Sequence, residues 1–164
     1  MEMTKGNETK LITKNSFKAV GLKWEGTFAE AKAGGIRAIQ QQIKLRINEI
    51  PQTVNPDQLL GLSFHAMPGK EGFTHYSVVE VGSEAPIPDG MVVVTVPSLT
   101  YACCKHMKGE NISQSYTNLY TWIDQQGFEG DYAYGLTHFE EYPMEQDPYD
   151  VEPEFTMMIP VKKK

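Results

Sequence analysis

Lys23-Trp24-Glu25-Gly26-Thr27 returns, about half the chain later, as His106-Met107-Lys108-Gly109-Glu110. The shared identities are few; what repeats is the order of signals on either side. Before each glycine runs an alternating, strand-like stretch, over 11–24 in the first case and 91–108 in the second, the latter interrupted at Pro97. After each comes a helix start. Thr27 with Glu30 makes a capping-box pattern, and Asn111 or Ser113 is a capping residue for the second helix. Over 28–50 the apolar residues Ala31, Ile36, Ile39, Ile43, Ile47 and Ile50 fall mostly at helical spacing, with a bend or break expected at Gly34-Gly35 and a stop at Pro51. Over 114–126 the stripe is Tyr116, Leu119, Tyr120 and Ile123, closed by Gly127. Two more strand-like runs follow each helix, 58–67 and 73–81, then 133–142 and 154–161.

Each half therefore reads strand, helix, strand, strand. The fold class predicted is α+β: a tandem, pseudo-two-fold repeat of β-α-β-β modules forming an antiparallel sheet, with two helices packed on one face and a groove between them. Residues 1–9 read as a frayed tail and 10–164 as one domain. Its halves span about 10–84 and 90–164, joined through Pro86, Pro88, Asp89 and Gly90.

The chain has 164 residues, 40% apolar and 22% charged, enough for one domain with a core. Its net charge of −6 disfavours direct DNA binding, which normally uses a basic face. No run approaches the ~20 apolar residues that span a bilayer, so no membrane association is expected. The polar N-terminus has no secretory character. Cys103 and Cys104 are adjacent, which suits small strand residues in a reducing, cytoplasmic setting better than a disulfide. His65, His75, His106 and His138 are scattered, with no metal-ligand spacing, so no metal or cofactor is expected. Glycine-rich phosphate loops and G-x-S-x-G are absent, and no catalytic residues are assigned.

Near the end of the chain stands His138-Phe139-Glu140-Glu141-Tyr142-Pro143. On a strand Glu140 and Tyr142 share one face, and Phe139 and Glu141 the other. A carboxylate among aromatic rings is a receptor for an organic cation, since it supplies charge while the rings supply apolar area and cation–π attraction. Glu141 is the competing acid if the register slips by one. Tyr142 and Tyr101 are candidate donors to a buried carboxylate. Trp24, at a strand end where the halves meet, and Trp122, on a helix flank, divide evenly between core and pocket wall. Phe64, Tyr76 and Tyr101 have core or sheet-face readings beside the ligand-contact one. Met91, Met107, Met157 and Met158 are gap-fillers or a pliable wall. Lys162, Lys163 and Lys164 read as a solvated end. The acidic stretch 140–154 reads as a mobile, solvated loop, with mimicry of DNA toward a basic protein as the alternative.

In their order along the chain these residues resemble the GyrI-like small-molecule-binding domains, the effector-binding domains of AraC-type and multidrug-responsive MerR-type regulators. The resemblance rests on the run from Phe17 to Gly26, on Met91-Val92-Val93-Val94-Thr95-Val96-Pro97 with Tyr101-Ala102, and on the helix from Tyr116 to Ile123. Phe139-Glu140-Glu141-Tyr142 and Ile159-Pro160-Val161-Lys162 complete it. It implies the same tandem fold and a central pocket for lipophilic cations with an acid that falls on Glu140. With the residue readings above, the ligand-binding residues expected are Glu140, Tyr142, Trp24, Trp122, Tyr101 and Phe64. No helix-turn-helix precedes the domain, so a stand-alone member is expected. The resemblance also implies two alternatives to drug sensing or sequestration: hydrolysis of cyclopropane-bearing electrophiles, and inhibition of a protein partner such as DNA gyrase.

Overall fold

A computed structural model of the chain describes residues 8–164, so most of the tail expected over 1–9 lies outside the described residues. The elements in chain order are β1 (Lys10–Lys14), β2 (Phe17–Thr27), α1 (Phe28–Lys32), α2 (Gly35–Leu45), a 3-10 turn (Ile47–Glu49), β3 (Gln58–Phe64) and β4 (Gly72–Val81). There follow β5 (Val92–Val96), β6 (Leu99–His106), α3 (Ile112–Gln125), β7 (Phe128–Gly130), β8 (Leu136–Pro143) and β9 (Phe155–Lys163).

The helix starts form as their sequences direct. Thr27 Oγ1 accepts from Glu30 N at 3.0 Å, and Thr27 N donates to Glu30 Oε1 at 2.8 Å, a reciprocal capping box. The break falls at Gly34, whose φ of 116° lies in the left-handed region, so 28–50 forms two helices and a turn. Asn111 caps α3 through Gln114 N at 2.8 Å.

The sheet order is β1-β6-β9-β8-β3-β4-β2-β5, antiparallel throughout, with β7 added to β9. That order is palindromic. β2, β3 and β4 of the first half correspond to β6, β8 and β9 of the second, and β3 meets β8 at the centre. The strand expected over 11–24 is two strands, and so is the one over 91–108. In each case the leading strand crosses over: β1 pairs with β6, and β5 pairs with β2. The short β7 was not anticipated.

This connectivity forces curvature. In a flat sheet β1 and β2 would stand ~28 Å apart. The turn at Asn15 and Ser16 spans at most ~11 Å. The sheet must curl until its ends approach. Phe17 of β2 and Phe139 of β8 accordingly touch, with ring centroids 5.7 Å apart across the concave face. Tyr101, Leu62, Val78, Val96, Leu136, Phe139 and Met158 fill that concave interior. The helices cover the opposite face as two separate packs. One joins α2 through Ile43 to Val20, Leu59 and Val79, and the other joins α3 through Leu119 and Ile123 to Ala102, Phe155, Met157 and Ile159. Between the packs, over the β3–β8 seam, lies the groove.

Candidate functional site

A bulge decides what faces the groove. The β3–β8 register shifts between Ser63 and Phe64, so Ser63 pairs with His138 and Phe64 with Leu136, leaving Thr137 extra. Thr137 Oγ1 ties the irregularity together, donating to Ser63 O at 3.0 Å and accepting from Ala66 N at 3.2 Å. Leu136 and Phe139 both point to the concave core as a result, and His138, Glu140 and Tyr142 all point to the helix side.

Glu140 stands at the junction of the two packs. Its Oε1 accepts from the Tyr142 hydroxyl at 2.6 Å, and its Oε2 accepts from the Tyr116 hydroxyl on α3. Gln40, buried on α2, interacts with the Tyr142 hydroxyl from the other side. Both donors thus come from the second half, and the first half reaches the carboxyl group only through Gln40 and Tyr142. Burial pushes its pKa above the ordinary carboxylate value, and the two hydroxyl donors pull back toward the ionised form. Both tyrosines are raised well above the usual phenol range, first by burial and then by the Glu140 charge. The ring of Tyr142 stacks on Phe155 at 5.0 Å, and Tyr116 meets His138 edge-on at 5.5 Å.

The strands beneath are polar where the helix packs separate. Glu140 lies opposite Gly61, which in turn lies opposite Ser77; His138 lies opposite Ser63, which lies opposite His75. His75 is 2% exposed. Its Nδ1 meets Ser63 Oγ at 2.9 Å, while its Nε2 and Ser77 Oγ have no hydrogen-bond partner among the described residues. A buried polar atom without a partner costs about 1–3 kcal/mol. Burial, helped by His138, holds the His75 pKa down to about 3, and burial holds His138 down to about 4, so both rings are neutral at neutral pH. The Tyr120 hydroxyl lies 3.1 Å from His138 Nε2.

Cavities flank this cluster. One of about 560 Å³ is lined by Phe28, Met67, Tyr120, Tyr132 and His138. Phe28 there stacks on Phe73 at 4.9 Å, and Phe73 contacts Trp24 at 5.4 Å. A second, of about 170 Å³, lies beyond Tyr142 among Ile36, Arg37, Gln40 and the loop after β8. A third, of about 670 Å³, sits at the sheet end beside Lys105, Glu141 and Tyr142. Glu140 lines none of these three, because the two tyrosines cover it. Among the described residues no three His, Cys, Asp or Glu side chains gather in a metal-binding group.

Of the residues expected at the site, Glu140 and Tyr142 come together. Trp24 is on the groove side opposite His75, behind Phe73 and against Gly35. Trp122 packs against the second half's core and lines none of the three cavities. Tyr101 and Phe64 go to the concave face, away from Glu140: Tyr101 packs edge-on to Phe139 at 5.3 Å, and Phe64 packs between Tyr76 and Tyr134. Strand parity sends them there. The second hydroxyl on Glu140 comes from Tyr116 rather than Tyr101. Glu141 takes the face away from Glu140, beside Cys103, and burial raises its pKa. The acidic loop is not free of structure. Gln146 and Glu154 exchange two hydrogen bonds, Lys44 donates to Gln146 O at 2.6 Å, and Met144 N donates to Asp57 O at 2.7 Å. Phe28, His75, His138 and Gly61 escaped the sequence reading. The signal available for His138 was its parity with Glu140.

A family profile described as Cass2, integron-associated effector binding protein, matches residues 10–161. No curated protein sequence matches the chain. Several solved structures share its fold, three of them as follows. EcmrR in its DNA complex is 13% identical with a TM-score of 0.65, and the match covers 98% of this chain but only 59% of EcmrR. SAV2435 bound to tetraphenylphosphonium is 17% identical with a TM-score of 0.64, covering 94% of each chain. The integron cassette protein VCH_CASS2 from the mobile metagenome of Vibrio cholerae is 14% identical with a TM-score of 0.54, covering 94% of this chain and 95% of its own.

Proposed function

The chain belongs to the integron-associated effector-binding family, and on that premise we propose that its effectors are small amphipathic cations held in the groove between the two halves, with Glu140 as the counter-charge. One observation carries this reading. A partly buried carboxylate at the centre of the fold is met by two neutral hydroxyls rather than by a cation of the protein. Such a group is electrostatically incomplete, since burial without a charge partner disfavours its ionised form. An organic cation that displaced one or both hydroxyls would restore the missing charge, and Phe28, Tyr120, Tyr132 and Tyr142 would supply ring area along its path. Each ring packed contributes on the order of 1–3 kcal/mol. The neighbouring fold seen with tetraphenylphosphonium supports a ligand of this shape and charge.

Both carboxylate oxygens are engaged by tyrosine, which favours a binding role over one in which Glu140 directs water onto an electrophile. Titration of tetraphenylphosphonium into the wild type and Glu140→Gln decides the matter. The glutamine protein should bind at least tenfold more weakly. Equal affinities would remove Glu140 from the account.

A further inference from the structure

Row by row across the central strands, the groove floor presents Glu140, Gly61 and Ser77, then His138, Ser63 and His75. Gly61 is the hinge of this arrangement. A Cβ at that position would sit 3.1 Å from His75 Cε1, 3.4 Å from His75 Nε2 and 3.6 Å from Tyr142 Cε1. The imidazole edge and the Tyr142 ring therefore both lie down over the one residue in the row without a side chain. That residue is the cross-strand neighbour of Glu140. The edge of His75 that carries Nε2 thus lies over Gly61, one strand from the carboxylate. It is buried, and it has no hydrogen-bond partner among the described residues. The other end is fixed, because Nδ1 meets Ser63 Oγ at 2.9 Å. The ring cannot turn away without losing that bond.

Tyr142 does two things at once: its hydroxyl holds the Glu140 carboxylate, and its ring shares with the His75 edge the space over Gly61. A ligand that moves Tyr142 aside would free the carboxylate and open the space over Gly61 that the His75 edge borders. We propose that His75 is a second, neutral anchor of the site, whose Nε2 forms a hydrogen bond to the ligand that Glu140 holds by charge, so that the preferred effectors are aromatic cations carrying a hydroxyl or amide group. This rests on the binding reading above and narrows its ligand class. Ser63 acts as a positioning residue, since it orients the ring and touches no ligand. A neutral imidazole suits the role. It adds no positive charge beside an incoming cation, and it offers a nitrogen that donates or accepts according to its tautomer.

The test compares two cations that differ by one group, tetraphenylphosphonium and (4-hydroxyphenyl)triphenylphosphonium, titrated into the full chain. The wild type should bind the hydroxylated cation on the order of tenfold more tightly. His75→Leu should bring the ratio of affinities to about one, and His75→Gln should keep part of the preference. Ser63→Ala should reduce the ratio without abolishing either affinity. The wild-type ratio needs no variant, so a folding defect in one of them leaves the test intact. Equal binding of the two cations by the wild type overturns the proposal, as does a preference that survives in His75→Leu. If tetraphenylphosphonium still binds in a Glu140-dependent way, the wider reading stands and only His75 falls. If neither cation binds the wild type, both fall.

Discussion

Glu140 and Gly61 stand directly across from each other on β8 and β3, the two strands where the halves of the molecule meet. The group most costly to bury faces the one residue in its row that offers no side chain. What fills the space instead are the Tyr142 ring and the His75 edge.

Substituting Gly61 tests that relationship. A methyl group there would press on His75 at 3.1 Å, tighter than an ordinary contact. Gly61→Ala should destabilise the fold by about 1–3 kcal/mol in denaturant titration and weaken cation binding in parallel, since both rings must shift. An unchanged midpoint with unchanged binding would show that the rings are loosely held.

Glu140→Gln should stabilise the ligand-free protein at neutral pH by on the order of 1 kcal/mol, because an amide is buried more cheaply than a carboxylate. The sign with pH follows from the raised pKa. The folded state holds the Glu140 proton more tightly than the unfolded state, whose carboxyl titrates near 4.5. Stability from this group is present below that value and is lost as pH rises through the folded pKa. The gap between variant and wild type should therefore shrink as pH falls toward 4.5. Cation affinity should run the other way, strengthening as pH rises. Melting curves and titrations across pH 4 to 8 check both slopes, and a gap that widens in acid contradicts the assignment.

His138 has the opposite sign. Its ring is held down to about 4 against an ordinary 6.5, chiefly by burial, so the unfolded chain takes up its proton first. Stability from the neutral ring is present above 6.5 and is lost as pH falls through about 4. The ring accepts from the Tyr120 hydroxyl or donates to it, and Thr137 Oγ1 lies 3.0 Å from its other nitrogen. A charged ring must donate at both. His138→Gln should flatten the acid side of the stability profile by about 1–2 kcal/mol between pH 6.5 and 4. A profile as steep as that of the wild type would place the acid sensitivity elsewhere.

Phe28 offers a cleaner ligand test, because it is 42% exposed and lies in α1, a helix with no buried residues. Phe28→Ala should leave the melting temperature within a few degrees of wild type. It should cost cation binding about 1 kcal/mol, roughly five- to tenfold, through the lost wall of the aromatic mouth. Loss of stability without loss of affinity would make Phe28 a packing residue only.

The repeat, its helix starts and the parity of 139–142 were legible in the sequence because each rests on local chemistry. The capping box at Thr27 and the Asn111 cap depend on neighbours three positions away. The facing of Glu140 depends on strand alternation. What local pattern could not supply was the crossing of β1 and β5, since pairing between distant strands leaves no mark on either one alone. The same limit explains Tyr101 and Phe64. Aromatic character is identical on both faces of a sheet, and only the curl of this one, set by its long-range connections, makes the concave face a closed core. His75 was missed for a related reason. Its neighbours Gly61 and Ser63 lie on another strand, and its meaning comes from Glu140 one strand further on.

The reciprocal placement of β1 and β5 has a last consequence. A single backbone cut near Pro86 would yield two fragments, each carrying the outermost strand of the other's sheet. Neither piece could complete its own framework, yet the pair would possess every complementary edge needed to reassemble. The duplicated units are interlocked rather than merely adjacent, and that interlock keeps the central carboxylate aligned between two helices that never touch the same stretch of core.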